Sequence, residues 1–120
     1  LGCTAIEQSG ADNVIVVEQR SGVEAGCWGG LLTLGAKVRG VAGVVADGPL
    51  RDVDEAIAYE FPIYSRSLTS RTARTRVVEL GTQVPVTVGT FLADANGVAD
   101  LVLGLRDGQP LRLALAPGSR

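Results

Sequence analysis

Residues 13–65 read NVIVVEQRSGVEAGCWGGLLTLGAKVRGVAGVVADGPLRDVDEAIAYEFPIYS, and two kinds of segment alternate along them. Three short runs, at 13–18 (NVIVVE), 41–47 (VAGVVAD) and 61–65 (FPIYS), have the length and composition of strands. The first two are continuous enough in apolar residues to be buried on both faces. Residues 29–39 carry Leu31, Leu32, Leu34 and Val38, which suits a helix packed on a sheet and stopped by Gly40. Residues 50–59 form a second helix with Val53, Ala56 and Ile57 inward; Asp52, Asp54 and Glu55 in its first turn complement the helix dipole. Gly48-Pro49 reads as the turn before it, and residues 19–26 as a polar loop. The fold class is therefore α/β: a β-α-β-α-β unit whose parallel strands are joined by right-handed crossovers.

Outward from this unit, residues 4–9 read as the tail of a helix closed by Gly10, and residues 67–76 are polar, hydroxyl-rich and basic. Residues 77–80 and 84–88 have strand character, 93–97 form a turn, and 101–105 with 111–115 form a β-hairpin. A strand-rich C-terminal part is expected to share one core with the N-terminal unit, giving a single domain over residues 1–120. The sequence contains no Met, so it is expected to begin inside a longer protein.

Composition narrows the chemistry. Hydrophobic residues are 46% and charged residues 20%, a globular balance, and no apolar run approaches the roughly 20 residues that span a bilayer. A net charge of −2 and 4% aromatics argue against a nucleic-acid partner. Cys3 and Cys27, without a signal peptide, are expected to be reduced thiols in the cytoplasm. The chain has no His, which excludes a Ser-His-Asp triad, His-ligated zinc and an imidazole base. Lys37, the lone Lys, lies inside a helix and reads as solvated rather than as a Schiff-base residue. What remains is carboxylates, Arg, backbone amides and a bound hard cation.

Two loops could gather such groups. Gly26-Cys27-Trp28-Gly29-Gly30-Leu31-Leu32 is Gly-dense and enters a helix, so its amides could receive an anion; it could equally be a tight strand–helix connection. Asp47-Gly48-Pro49-Leu50-Arg51-Asp52 could grip a carboxylate through Arg51 and ligate Mg²⁺ through Asp52, or be an N-capping acid beside a surface Arg. Both loops follow strands, where ligands gather in open α/β sheets. Trp28 reads as a packing or interface anchor, and Cys27 as inert for want of an activating neighbour. The series Arg66, Arg71, Arg74, Arg76 reads as a solvated or intersubunit face.

The stretches GCWGGLL, RGVAGVVADGPLRDVDEA, FPIYSR and TSRTARTR, with VPVTV and LADANGV further on, resemble the RraA-like family. That family contains the class II 4-hydroxy-4-methyl-2-oxoglutarate aldolases, oxaloacetate decarboxylases and the regulator of ribonuclease E activity A. The resemblance implies a swivelling β/β/α domain assembled as a homotrimer or hexamer, with sites between subunits. It also implies a lyase that needs Mg²⁺ or Mn²⁺ and releases pyruvate from a small 2-oxo acid by retro-aldol cleavage or decarboxylation. Arg51 would hold the pyruvoyl carboxylate and carbonyl, Asp52 the cation. Gly29, Gly30, Leu31 and Leu32 would bind substrate, with the Leu31 and Leu32 amides receiving a carboxylate.

The family's signature is an acid, twenty residues, then Arg-Asp; counting back from Arg51-Asp52 reaches Gly30, where the acid is missing. The N-terminal segment of the family is also missing, residues between Thr90 and Phe91 are fewer than in the family, and from about residue 100 the sequence diverges. Two alternatives to a lyase follow: a non-catalytic oligomeric regulator that binds a ribonuclease, and an inactive degenerate member.

Overall fold

The computed structural model describes residues 2–89, 91–93, 100–106 and 109–114, the last three stretches as backbone. Its centre is a three-stranded parallel sheet of β1 (Val14–Glu18), β2 (Gly43–Leu50) and β3 (Ile63–Leu68), in the order β1-β2-β3. Helix α2 (Gly30–Val38) joins β1 to β2 and α3 (Val53–Ala58) joins β2 to β3; the short α1 (Gly2–Glu7) precedes them and packs on α2. The β-α-β-α-β order and the parallel pairing are as the sequence implies.

The core is Ile6, Ile15, Trp28, Ala36, Val41, Val44, Ala46, Leu50 and Phe61. β2 supplies the middle of it, because a central strand has neighbours on both edges and protein on both faces. Fully burying one of its valines is worth about 1.5–3 kcal/mol relative to exposure. β1 departs from expectation: only Ile15 in it is buried, since it lies at the edge of the sheet.

The second helix starts later than its sequence suggests, because β2 runs straight through Gly48-Pro49 instead of turning there. Pairing with β3 slips between Ala46 and Pro49, two steps on β3 against three on β2, so the extra residue forms a bulge. The extension is held by the preceding loop: Cys27 N–H donates to Pro49 O at 2.9 Å, Arg51 N–H to Trp28 O at 2.9 Å, and Trp28 bridges Leu50 in parallel. Pro49 needs no N–H of its own in this arrangement, which is what allows a proline there.

Helix α2 also faces differently from the expectation. Gly30, Thr33 and Ala36 turn inward, while Leu31 is 88% exposed, Val38 79% and Leu34 41%. In α3, Ala56 is buried as expected but Ile57 is 69% exposed. Small residues let these helices lie close to their neighbours; Leu32 and Val53 pack half-buried against the core, while Leu31, Leu34, Val38 and Ile57 are left outside.

Beyond the sheet, β4 (Val86–Val88) and β5 (Phe91–Ala93) pair antiparallel, as do β6 (Asp100–Arg106) and β7 (Gln109–Ala114). The hairpin expected near 101–115 is thus present. Residues 77–80 are not a strand, and most of the expected turn at 93–97 lies outside the described residues. The β4 segment is tied to the end of β1 and the middle of β2 by two carboxylates: Thr87 N–H donates to Glu18 Oε2 at 2.7 Å, and Gly89 N–H, just after β4, to Asp47 Oδ2 at 2.9 Å. Among the described residues no helix is long and apolar enough to cross a membrane.

Candidate functional site

The ladder between the 26–28 loop and the end of β2 sets Gly29-Gly30 against Arg51-Asp52. Asp52 Oδ2 accepts the Gly30 N–H at 2.9 Å, across 22 residues of sequence. Asp52 is the residue before α3, yet its side chain caps nothing in α3; it reaches instead to the start of α2. Its backbone is left-handed (φ 57°, ψ 45°), a conformation that Asp tolerates better than most residues. Strain of this kind collects at functional sites. The second carboxylate oxygen, Oδ1, lies 3.7 Å from Arg51 Nη2, too far for a hydrogen bond, and both side chains are about one-third exposed.

Arg51 lies along the glycine loop. A Cβ on Gly26 would sit 2.6 Å from Arg51 Cδ, and one on Gly29 would sit 3.1 Å from Asp52 Oδ2. Both glycines therefore make room for the pair. The Arg51 Nε is buried and has no hydrogen-bond partner among the described residues. Such an orphan donor costs about 1–3 kcal/mol unless something accepts its proton.

Helix α2 begins at this spot, and its N-cap, Gly29, offers no side chain to the first-turn amides. Asp52 takes the Gly30 N–H; those of Leu31 and Leu32 have no intrahelical acceptor and point outward from the helix end. Behind them a hydrogen-bonded chain fixes the loop: Trp28 Nε1 donates to Thr33 Oγ1 at 3.1 Å, and Thr33 Oγ1 donates to Gly29 O at 2.9 Å. Trp28 is 2% exposed, so it anchors the core rather than an interface.

Of the six candidate site residues, Gly29 and Gly30 thus meet Arg51 and Asp52, and Leu31 and Leu32 follow on the first turn of α2. The sequence reading missed two neighbours. Gly26 belongs to the Gly-dense loop singled out in the sequence but has no role of its own there, and Glu55 reads there only as a dipole-complementing acid. The carboxyl group of Glu55 occupies the space beside Gly30: a Cβ there would lie 2.5 Å from Glu55 Cδ. Its position three residues after Asp52, on the same helix face, is the signal that could have found it.

A hard cation is compatible with the donors. Among the described residues no three Asp, Glu, Cys or His side chains group to hold a metal by themselves. Mg²⁺, however, binds through one or two carboxylates and keeps several waters. Asp52 Oδ1, which accepts no hydrogen bond among the described residues and lies 3.7 Å from Arg51 Nη2, is such a donor.

Nearby groups are quieter. Burial pushes the Cys27 thiol up to about 11, and its Sγ lies 3.4 Å from Pro49 O, so it stays protonated and inert. Lys37 Nζ donates to Tyr59 O, at the far end of α3 from Asp52. Arg66 donates through Nε to Asp47 Oδ1 at 2.7 Å, so it braces the β2 carboxylate that holds β4. A separate open groove of about 300 Å³, lined by Leu50, Val53, Ile57, Phe61 and Ile63 among others, is apolar and unsuited to an oxyacid.

A family model described as RraA-like, Aldolase/RraA, matches residues 1–102. An uncharacterized protein of Methanocaldococcus jannaschii is 48% identical over 44 residues, 37% of this chain and 21% of that protein. An uncharacterized protein from Pseudomonas syringae pv. tomato superposes with a TM-score of 0.66 at 27% identity, over 78% of this chain and 51% of that one. The RNA-processing inhibitor RraA from Thermus thermophilus superposes with a TM-score of 0.60 at 25% identity, over 77% of this chain and 60% of that one. The chain therefore spans about a fifth of that curated relative, about half of the first solved chain and somewhat more of the second.

Proposed function

This chain belongs to the RraA-like family, and on that footing we propose that it is a divalent-cation-dependent lyase of small 2-oxo dicarboxylic acids. The family includes aldolase and decarboxylase members and the RNA-processing inhibitor RraA. The reaction is retro-aldol cleavage of a 4-hydroxy-4-methyl-2-oxoglutarate-type substrate, decarboxylation of oxaloacetate, or both. Each breaks a C–C bond one carbon removed from a carbonyl and leaves the enolate of pyruvate.

The observation that carries this reading is the orphan Nε of Arg51, buried beside Asp52 and the open start of α2. A guanidinium with an unpartnered inner donor fits a planar carboxylate, which it can grip through two parallel hydrogen bonds. The Leu31 and Leu32 N–H groups, at the positive end of α2, suit the same substrate's negative charge. Arg51 thus fixes the pyruvoyl end, and the helix start orients it. Asp52 would hold the cation, Mg²⁺ or Mn²⁺, which when bound supplies Lewis-acid stabilisation of the negative charge that develops on the carbonyl oxygen. Asp52 keeps its carboxylate turned into the cleft because Gly30 N–H holds one oxygen.

Leu31, Leu34, Val38 and Ile57 support self-association as a homotrimer or hexamer, since apolar side chains this exposed are covered in stable assemblies.

The test is pyruvate release from oxaloacetate with and without Mg²⁺ or Mn²⁺. Turnover that disappears with chelator and falls at least about 100-fold in Arg51→Ala supports the lyase. Turnover indifferent to chelator, or surviving loss of Arg51, overturns it. A second reading, a regulator that binds a ribonuclease without catalysis, is favoured by the missing acid at Gly30 and by the likeness to RraA. Retention of a ribonuclease by the purified protein, with no pyruvate formed, would support that one.

A further inference from the structure

Glu55 occupies the place that a side chain on residue 30 would take. Besides its Cδ at 2.5 Å, its Oε1 lies 3.1 Å from the Cβ position of Gly30. The N–H of the same glycine is held by Asp52 Oδ2. Two carboxylates from one turn of chain, linked by the Glu55 N–H to Asp52 O bond of 3.1 Å, thus converge on one glycine.

Their situations differ. Asp52 has one oxygen committed to Gly30 and the other turned toward Arg51. The Glu55 carboxylate accepts no hydrogen bond and forms no ion pair among the described residues, and it is open to solvent. Release of pyruvate requires a proton at C3 of its enolate. The chain has no His, the Arg51 guanidinium does not give up a proton, and Lys37 is bonded to Tyr59 at the other end of α3.

We infer that Glu55 is the proton donor of this site, an assignment that rests on the 2-oxo acid reading above. In the step, the O–H bond of the Glu55 carboxyl breaks and its electron pair stays on the carboxylate. The π pair of the enolate forms the new C3–H bond while the C2 carbonyl is restored. Solvent then reprotonates Glu55, which its exposure permits. The side chain reaches the cleft because Gly30 has no Cβ; the glycine admits the acid rather than merely lacking one.

The test separates the proton step from the rest. Exchange of the pyruvate methyl protons for deuterium in D₂O with Mg²⁺, followed by NMR, reads protonation and its reverse alone. Oxaloacetate decarboxylation reads the whole reaction, and Mn²⁺ binding followed by electron paramagnetic resonance reads the cation without turnover. Glu55→Gln should slow exchange by about 10²–10⁴-fold. It should leave Mn²⁺ affinity within about twofold, since a cation ligand or its close support would move it by about tenfold or more. Gly30→Ala, whose methyl displaces the carboxyl end of Glu55, should show the same loss, and the double variant should be no slower than either single one.

Undiminished exchange in Glu55→Gln overturns the assignment, as does a tenfold loss of Mn²⁺ affinity (about the size expected of a ligand), additive losses in the double variant, or a wild type inert in exchange. A wild type that exchanges pyruvate protons but does not decarboxylate overturns the lyase reading while Glu55 stands. A wild type that decarboxylates while Glu55→Gln exchanges normally overturns Glu55 alone.

Discussion

Asp52 Oδ2 accepts the backbone N–H of Gly30 at 2.9 Å, so the acid that opens one helix is spent at the start of another. This bond joins the two loops of the candidate site and holds Asp52 in its left-handed backbone conformation.

Asp52→Asn keeps an oxygen acceptor and the tolerance for that conformation but removes the charge. Its unfolding midpoint in urea should stay close to wild type, while Mn²⁺ affinity falls by about tenfold or more. Asp52→Ala loses the bond and the conformational tolerance together, and should be destabilised by about 1–2 kcal/mol. Equal effects of the two substitutions on stability would show that the bond to Gly30 contributes nothing.

Gly26→Ala tests the bed on which Arg51 lies. The added methyl would meet Arg51 Cδ at 2.6 Å, so the side chain must shift. Binding of oxalate, a compact dicarboxylate, measured by calorimetry with Mg²⁺ present, should weaken by about tenfold, with a stability loss of about 1–3 kcal/mol from overpacking. Unchanged oxalate affinity would mean that the position of the guanidinium does not matter to ligand.

Thr33→Val preserves shape and removes the hydroxyl that links Trp28 Nε1 to Gly29 O. The indole N–H is then buried without an acceptor, and urea denaturation should report a loss of about 1–3 kcal/mol. A loss below about 0.5 kcal/mol, the scale of ordinary surface substitutions, would assign the loop's rigidity elsewhere.

Glu18 links pH to the seating of β4. The hydrogen bond from Arg20 holds its carboxyl below the usual 4.5, with burial opposing and the Thr87 N–H adding to it. A carboxyl whose folded value is lowered stabilises the fold above its unfolded value, and that contribution disappears as pH falls through the folded one. Glu18→Gln should therefore be less stable than wild type at neutral pH, and the gap should close as pH falls through the lowered folded value. A gap that persists in acid would mean that the charge is not what seats the strand.

The alternation of β-branched runs with helical spacing made the parallel unit legible, because burial of a central strand leaves little freedom in composition. Two features were not legible, each for a physical reason. Gly48-Pro49 looks like a turn, and only the Cys27 N–H to Pro49 O bond, made across 22 residues, shows that the strand continues. In α2, Leu31, Leu34 and Val38 share one stripe and invite burial, yet the opposite stripe of Gly30, Thr33 and Ala36 is the one that sits on the core. Hydrophobic spacing alone does not show that small residues, which allow a closer approach, take the inward stripe. At the site, the convergence of Arg51-Asp52 with the glycine loop was legible as a possible pairing of two loops. Glu55 was not, because its place depends on the absence of an atom in a residue 25 positions earlier.

The unbroken run of β2 through Pro49 has one more consequence. Arg51 directly follows Leu50, the last residue of the molecule's middle strand, and its N–H is bonded to Trp28 O. Its backbone is fixed when the protein folds, so a ligand held by Arg51, as proposed, would leave little backbone disorder to remove on this side of the cleft.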